Sequence, residues 1–287
     1  LAIHSLVFCD TDRLVLGFDD FPPFTGADGS PRVAVDLLEE AMDRLGNRVD
    51  MIMVRSGNFE RVFTDPRIEA SPALWYSKER KRDLVFSKPF FHNRLLLVGR
   101  KGSGAAVKTL KDFDGATLGV VDGYAYGPEL EKSGATLVLG VSDQKNMLKL
   151  LNGEVDFILI EEMLLTYARR VQREKFEALL EIGQEPLIIK PLHFAVKREV
   201  RGAKKLVRQL NRTLLEMLKD GTYHEIMGVG RLVADVDGDG ATEVILVGDP
   251  AETLNPENVF ESTTSTPDRD GKKEWYLVDG RLYASLD

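Results

Sequence analysis

A block of charged residues followed by a short apolar stretch is the part of this sequence best suited to binding chemistry. Residues 77–91 contain lysines, arginines, a glutamate and an aspartate, then an apolar stretch that closes with a serine, a proline and two phenylalanines. An arginine in such a setting suits a cleft that holds a small anion, because a guanidinium is always charged and donates two parallel hydrogen bonds to a carboxylate. A solvated charged loop before a strand explains the same residues. The segment alone leaves both interpretations open.

A second group of residues, at positions 235–243, could bind a metal ion. Its aspartates at the first, third and fifth positions, glycine at the sixth and glutamate at the ninth suit calcium, which takes oxygen ligands. An EF-hand would need a glutamate at position twelve, where this chain has Leu246. The loop resembles instead the calcium loops of FG-GAP-type repeats, which implies a structural calcium; a metal-free acidic turn is the alternative. The candidate ligands are Asp235, Asp237, Asp239, Ala241 and Glu243.

The composition limits the possible classes of protein. With 287 residues, the chain can hold two lobes and an appended segment. Its net charge of −8 argues against nucleic acid or an anionic membrane as the main partner. No apolar run approaches the roughly 20 residues that span a bilayer. The single cysteine excludes an intramolecular disulfide, which fits a reducing compartment and equally a large exported domain.

Hydrophobic periodicity predicts alternating strands and helices up to about residue 227. The sequence predicts strands at 13–18, 49–54, 116–121, 155–160 and 192–196, and the nearly continuous apolar runs at 116–121 and 155–160 are expected to be buried on both faces. Apolar faces at helical spacing predict helices at 33–45, after Ser142 and at 201–220, each followed by a glycine. This alternation favours a parallel sheet, so the predicted fold class is α/β.

Residues 228–287 have a different character. Glycine, aspartate, threonine and proline interrupt short strand-like runs, and an aspartate–glycine pair predicts a tight hairpin between the last two of them. We expect a separate β-rich appendage with strands at 231–234, 243–247, 275–278 and 281–284.

The order of several short motifs resembles the type II periplasmic solute-binding proteins, in the amino-acid-binding branch, bacterial solute-binding protein family 3. The strongest motif is the 77–91 block, which is similar to the family's signature with Ser77 in place of threonine and Phe90 in place of tyrosine. Together the motifs extend over residues 13–227, with further pieces in the expected order at 17–24, 110–120, 150–156 and 218–223.

This resemblance implies a two-lobe periplasmic-binding-protein type II fold, in which two hinge strands join α/β lobes that close on a ligand. Lobe one is expected to contain residues 1–92 and 192–227, and lobe two residues 93–191. The chain would cross between the lobes near His92 and return near Pro191. Residues 228–287 would form the small C-terminal β-rich appendage.

The resemblance also assigns two charged residues to the ligand. Arg80 falls at the family's carboxylate-binding arginine, with an ion pair to Glu79 or Asp83 as the structural alternative. Glu161 falls where the family usually places an aspartate that accepts the α-amino group. It follows a buried strand, where open α/β sheets bind ligands, and it could equally stabilise a helix N-terminus. Arg80 and Glu161 together would suit a zwitterion.

Four further residues of lobe one are ligand-binding candidates by the same resemblance. Phe21 matches an aromatic that stacks on the ligand, and Asp19 could face a cationic group or serve the hinge. Trp75 would narrow the pocket, and Ser77 lies at the end of the strand that offers hydroxyls and backbone groups. Packing in the core is the alternative for both Phe21 and Trp75.

One departure from the family concerns the start of a helix in lobe two. Where the family has glycine and two threonines that receive the ligand carboxylate, this chain has Gly123, Tyr124 and Ala125. Backbone N–H groups there still attract an anion, but the hydroxyls are absent and Tyr124 adds bulk. A modified or different small polar ligand therefore stays open beside a standard amino acid.

The resemblance predicts an exported receptor, periplasmic or extracellular, that captures an amino-acid-like solute for the membrane permease of an ABC transporter. We expect it to be a monomer that needs no cofactor for this function. The alternatives are a ligand-sensing module of a signalling system and a periplasmic enzyme resembling the cyclohexadienyl dehydratases, with Glu161 as general acid or base. Acid catalysis needs a raised glutamate pKa, which a neighbouring Arg80 would lower, so the sequence favours a non-enzyme.

Overall fold

The computed structural model describes residues 13–27, 30–55, 59–113, 115–228, 230–234, 243–247, 275–278 and 281–283. In this part of the chain no helix is both long and apolar enough to cross a membrane. The helices are α1 Val33–Arg44, α2 Arg61–Thr64, α3 Pro128–Glu131, α4 Asp143–Asn152, α5 Glu162–Leu179, α6 Ala203–Asp220 and α7 Thr222–Ile226.

The strands up to residue 228 belong to one sheet. They are β1 Arg13–Phe18, β2 Arg48–Met53, β3 Ala70–Trp75, β4 Leu84–Phe86, β5 Phe91–Arg100, β6 Thr117–Val121, β7 Thr136–Gly140, β8 Phe157–Glu161, β9 Leu180–Ile182 and β10 Ile188–Lys197. The strand order is β2-β1-β3-β10-β5-β8-β6-β7, with β4 also paired to β10 and β9 to β5. The predicted α/β fold is confirmed.

Two long antiparallel strands join two parallel sets of strands. β1 pairs parallel with β2 and β3, and β6 pairs parallel with β7 and β8. Between these sets lie β5 and β10, which pair antiparallel with each other and bring His92 opposite Pro191. Lobe one thus contains β1–β4 with α1, α2, α6 and α7, and lobe two contains β6–β9 with α3–α5. The residue boundaries of the lobes stay a prediction.

The helices form where apolar periodicity and capping residues coincide. The face of α1 that carries Leu37, Leu38 and Ala41 is buried, as an amphipathic helix against a sheet requires. Ser142 caps α4 by accepting a hydrogen bond from the Lys145 N–H at 3.3 Å. Gly153 ends α4 with φ 78°, a left-handed conformation that costs glycine little because it has no Cβ.

The C-terminal strands form a second sheet. They are β11 Gly230–Ala234, β12 Glu243–Val247, β13 Trp275–Val278 and β14 Arg281–Tyr283, in that spatial order. β13 and β14 pair antiparallel, as the predicted hairpin requires. The proposed calcium ligands at 235–241 lie outside the described residues, and Glu243 is the first residue of β12. Among the residues that are described, no group of three or more histidine, cysteine, aspartate or glutamate side chains is placed to hold a metal ion.

Candidate functional site

The site lies where three strands end. Asp19 follows β1 directly, Trp75 is the last residue of β3, and Gly123 and Tyr124 follow β6 of lobe two. In open α/β sheets the carboxyl ends of parallel strands are the usual place for a ligand, because the loops there leave a crevice between them. The side chains at these strand ends line a small cavity between the two lobes. It is lined by Asp19, Phe21, Phe59, Ala73, Leu74, Trp75, Arg80, Tyr124, Ala125 and Leu192.

This cavity is small, and a larger groove adjoins it. The space among the lining side chains is about 20 Å³, room for about one water molecule. The neighbouring groove has a volume of about 820 Å³ and shares Arg80, Tyr124 and Ala125 with the cavity. Ser77, Gly123 and Lys190 also line the groove. Tyr124 therefore borders both the small cavity and a groove that is large enough for a small solute.

Arg80 links the two lobes through backbone carbonyl groups. It lies in a 3-10 turn, Arg80–Arg82, whose start is tied by a hydrogen bond from the Arg80 N–H to the Ser77 hydroxyl at 3.2 Å. Its guanidinium donates to the Trp75 carbonyl at 2.8 Å and, across the cleft, to the Gly123 carbonyl at 2.7 Å. Burial lowers the pKa of Arg80 to about 10, so the group stays charged at neutral pH. The sequence left an ion pair with Glu79 or Asp83 as the alternative role of Arg80. The charge of Glu79 raises the pKa of Arg80, but by less than burial lowers it.

The same guanidinium lies over the rings of Phe59 and Phe63. The Cζ atom of Arg80 lies 5.5 Å from the centre of the Phe59 ring and 5.0 Å from that of Phe63. Aromatic faces attract a cation electrostatically, and the attraction strengthens where water is excluded. The charged end of Arg80 is thus held at the cleft rather than released into solvent.

Asp19 is a half-buried residue whose carboxylate faces lobe two. Burial raises its pKa to about 6, although the hydrogen bond from the Tyr124 hydroxyl and the charge of Arg80 both favour the ionised form. That hydroxyl donates to Asp19 Oδ2 at 3.1 Å, across 105 positions of sequence. Tyr124 as a residue is partly exposed, whereas its hydroxyl end is enclosed by protein, which raises the pKa of Tyr124 well above its usual range. At neutral pH Tyr124 is therefore the donor and Asp19 the acceptor.

Glu161 lies apart from this cavity. It is the last residue of β8, is 2% exposed, and accepts a hydrogen bond from the Leu164 N–H at 3.0 Å at the start of α5. The buried side chain of Asn93 neighbours Glu161 on one side. On its other side, Asn93 Oδ1 accepts a hydrogen bond at 2.7 Å from the indole N–H of Trp75, which lines the cavity. The role of Glu161 toward a ligand stays a prediction.

The expected effect of Arg80 on Glu161 is wrong. Burial raises the pKa of Glu161 to about 8, while the helix N–H groups and the neighbouring Asn93 partly oppose this. The groups that lower it are the Leu164 and Met163 N–H groups and Asn93, whereas the Arg80 guanidinium binds the Trp75 and Gly123 carbonyls. A raised pKa alone does not make Glu161 an acid catalyst, since its carboxylate caps a helix and does not line the cavity.

Most of the residues that were predicted to bind ligand line this cavity. Asp19, Phe21, Trp75, Arg80 and Tyr124 line it together, and Ser77 and Gly123 line the adjoining groove. Phe21 stacks on Phe24 with ring centres 5.2 Å apart, so it belongs both to the cavity and to the core.

The sequence analysis missed Phe59, which lines the cavity, and Asp143, which feels the charge of Asp19. Phe59 lines the cavity, yet it belongs to no periodic stretch that could have pointed to it. Asp143 is a buried carboxylate in the first turn of α4, where burial and the charge of Asp19 raise its pKa to about 7. Its position directly after the capping Ser142 was visible in the sequence, but its burial was not.

Two α/β lobes joined by paired long strands, with a charged cavity between them, define a protein that binds a small molecule between its lobes. Residues 14–228 match the bacterial extracellular solute-binding proteins, family 3. The chain belongs to this family, whose members are exported and bind solutes. The predicted class of protein is thereby confirmed.

Known relatives agree with this assignment. The chain is 26% identical over 223 residues to the putative ABC transporter arginine-binding protein 2 of Escherichia coli (strain K12), covering 72% of this chain and 85% of that protein. An ancestral arginine-binding protein bound to arginine has the same fold, with a TM-score of 0.62, 24% identity and coverage of 76% of this chain and 97% of its own. A histidine kinase sensor domain similar to periplasmic binding proteins is also alike in fold, with a TM-score of 0.65, 19% identity and coverage of 75% and 94%.

Proposed function

We propose that this protein captures a small amino-acid-like solute that carries a carboxylate and a cationic group, and delivers it to the permease of an ABC transporter. The observation that supports this most directly is the presence of Arg80 and Asp19 in one cavity. A guanidinium and a half-buried carboxylate offer opposite charges to the two ends of such a solute. Arginine fits this description, and the Escherichia coli relative is named for binding it. Glu161 is the proposed acceptor for the α-amino group.

The proposal requires closure of the lobes without chemical change of the solute. Arg80 and Asp19 belong to lobe one, and Gly123 and Tyr124 to lobe two, so a solute held by both pairs would favour the closed form. We propose that the protein acts as a non-enzymatic monomer. A sensory role is the second candidate, favoured by the similar fold of the kinase sensor domain.

Titration calorimetry with arginine, lysine, glutamine and glutamate tests the proposed function. We expect arginine to bind and glutamate to bind weakest, because its side-chain carboxylate would face Asp19. The proposal would be contradicted if none of these amino acids and no related cationic solute bound to the protein. Consumption of prephenate or arogenate would instead establish the enzymatic alternative.

Binding of a cationic solute should weaken in acid, because it requires the ionised form of Asp19. With a pKa of about 6, Asp19 is largely protonated at pH 5 and ionised at pH 7.5. We therefore expect the affinity for arginine to be about tenfold lower at pH 5, as measured by calorimetry at constant ionic strength. Asp143 has a pKa of about 7 and therefore titrates in the same pH range. The variant Asp143→Asn measures its contribution to the pH dependence separately.

Asp19→Asn should bind arginine weakly and nearly independently of pH between 5 and 7.5. The control is Asp20→Asn, which removes the adjacent, exposed carboxylate and should keep the wild-type pH dependence. An affinity of the wild-type protein that stays constant from pH 5 to 7.5 would assign the cationic group to another residue.

We also propose a structural calcium ion at positions 235–243, bound by the acidic loop of the appendage. Removing calcium with a chelator should then lower the melting temperature of the full chain, and Asp237→Asn with Asp239→Asn should abolish that difference. Melting that does not respond to chelator or to added calcium would favour the metal-free acidic turn.

A further inference from the structure

We propose that Tyr124 closes this cleft from inside: its side chain fills the space beside Asp19, and its hydroxyl binds that carboxylate across the lobes in the place of a solute's donor group. The proposal goes beyond solute capture, since it concerns how the unaided chain holds its lobes together. Tyr124 would thus decide which solutes gain access to the cavity, because a solute must displace it.

The contacts of Tyr124 support this role because most of them cross the cleft. Tyr124 follows β6 of lobe two, yet its hydroxyl donates to Asp19 of lobe one at 3.1 Å. Its ring meets Phe21, Phe59 and Trp75 edge-on, with ring centres 5.9, 5.4 and 5.4 Å apart. Edge-to-face contacts at these distances are favourable, and all three partners belong to lobe one. Tyr124 therefore inserts into lobe one much as a ligand would.

The volumes on either side of Tyr124 give a second, independent argument. The cavity on one side is about 20 Å³ and the groove on the other about 820 Å³, and Tyr124 lines both. Binding sites for small molecules have volumes of roughly 300 Å³ or more. Rotation of the Tyr124 side chain away from Asp19 would join the two spaces and expose Asp19 to a solute in the groove, which Arg80 already lines.

A neighbouring hydrogen bond acts in the same direction. Arg80 of lobe one donates to the carbonyl of Gly123, the residue directly before Tyr124, at 2.7 Å. Arg80 and Tyr124 thus tie the segment after β6 to lobe one through two side-chain hydrogen bonds. A solute that takes Asp19 and Arg80 has to replace both bonds, so its apparent affinity is reduced by the stability of the self-closed form.

The test measures the distance between the lobes in the full chain without added solute. Spin labels are placed on Glu60 of lobe one and Gln144 of lobe two, both exposed, with Cys9 changed to serine. We expect one short distance in the otherwise wild-type protein and mainly a longer distance in Tyr124→Ala. Tyr124→Phe, which keeps the ring and removes only the hydroxyl, should raise the ratio of long to short distances about tenfold.

Tyr126→Phe is the matched control. The Tyr126 hydroxyl is also buried, but it accepts a hydrogen bond from the Val121 N–H at 3.0 Å within lobe two. This variant should therefore keep the short distance. An unchanged distance distribution in both Tyr124 variants, or a mainly long distance in the wild-type protein, would overturn the proposal.

Addition of arginine separates this proposal from the proposed function. If Tyr124→Ala opens and arginine restores the short distance, both are supported. If Tyr124→Ala opens and none of the four amino acids of the calorimetric screen closes it, the role of Tyr124 stands and the proposed solute is wrong.

Discussion

Replacement of Arg80 with alanine is expected to lower the affinity for arginine about 100-fold, which corresponds to about 2.7 kcal/mol. Loss of one partner of a desolvated charge pair typically costs 2–5 kcal/mol, because the other charge is left without compensation. Arg80 is positioned for such a pair by Phe59, Phe63 and the carbonyl of Trp75. Titration calorimetry of the purified variant gives the affinity directly.

The control for this variant comes from the same 3-10 turn. Arg82→Ala removes an equal charge from an exposed side chain two positions away, so its affinity should stay within about twofold of the wild-type protein. Circular dichroism establishes that both variants are folded. Equal affinities of the Arg80 and Arg82 variants would mean that the carboxylate of the solute is bound elsewhere.

Glu161→Gln is expected to stabilise the protein by an amount that grows from about pH 4.5 to pH 8 and reaches up to about 5 kcal/mol at pH 9. Burial raises the pKa of Glu161 from 4.5 to about 8, so the folded state holds the proton more tightly than the unfolded state does. This protonation stabilises the fold fully below about pH 4.5, and the contribution is lost as the pH rises through 8. Glutamine carries no charge and keeps an oxygen that can accept the Leu164 N–H.

Urea denaturation at pH 5.5 and pH 9 measures this effect. The advantage of the glutamine variant should be small at pH 5.5 and grow toward pH 9, while Asp19 and Asp143 titrate alike in both proteins. The control is Glu162→Gln, which alters a half-buried glutamate that forms an ion pair with Arg94 at 3.1 Å and should not stabilise. A glutamine variant that is less stable than the wild-type protein at pH 9 would show that the ionised carboxylate is favoured at this position.

The variant Glu161→Gln also tests the predicted role of Glu161 in ligand binding. If Glu161 accepts the α-amino group, Glu161→Gln should lower the affinity for arginine about tenfold or more, since an ionic hydrogen bond contributes roughly 1.5–3 kcal/mol. An unchanged affinity would restrict Glu161 to the N-terminus of α5. The distances in the structure agree with the capping role.

Local features of the fold were largely predictable. The first strand and the four appendage strands agree with their predicted positions within a residue, and the capping serine at 142 and the glycine at 153 mark the ends of α4. Such features depend on neighbours in sequence, which a pattern of apolar residues, caps and glycines describes. Hydrophobic periodicity did not predict β5 and predicted only residues 192–196 of β10, because pairing with strands of both lobes defines these two strands.

The sequence by itself determined the family and the α/β fold and singled out Arg80 as a candidate, because these follow from the order of motifs and from the charge of one side chain. Only the tertiary structure decided that Asp19 shares the cavity with Arg80 while Glu161 lies behind Asn93, and that Tyr124 reaches Asp19 from the opposite lobe. Residues that lie 105 positions apart meet only through the pairing of strands and the approach of two lobes. Local pattern carries no information on that approach, whereas hydrogen bonds, burial and pKa values depend on it.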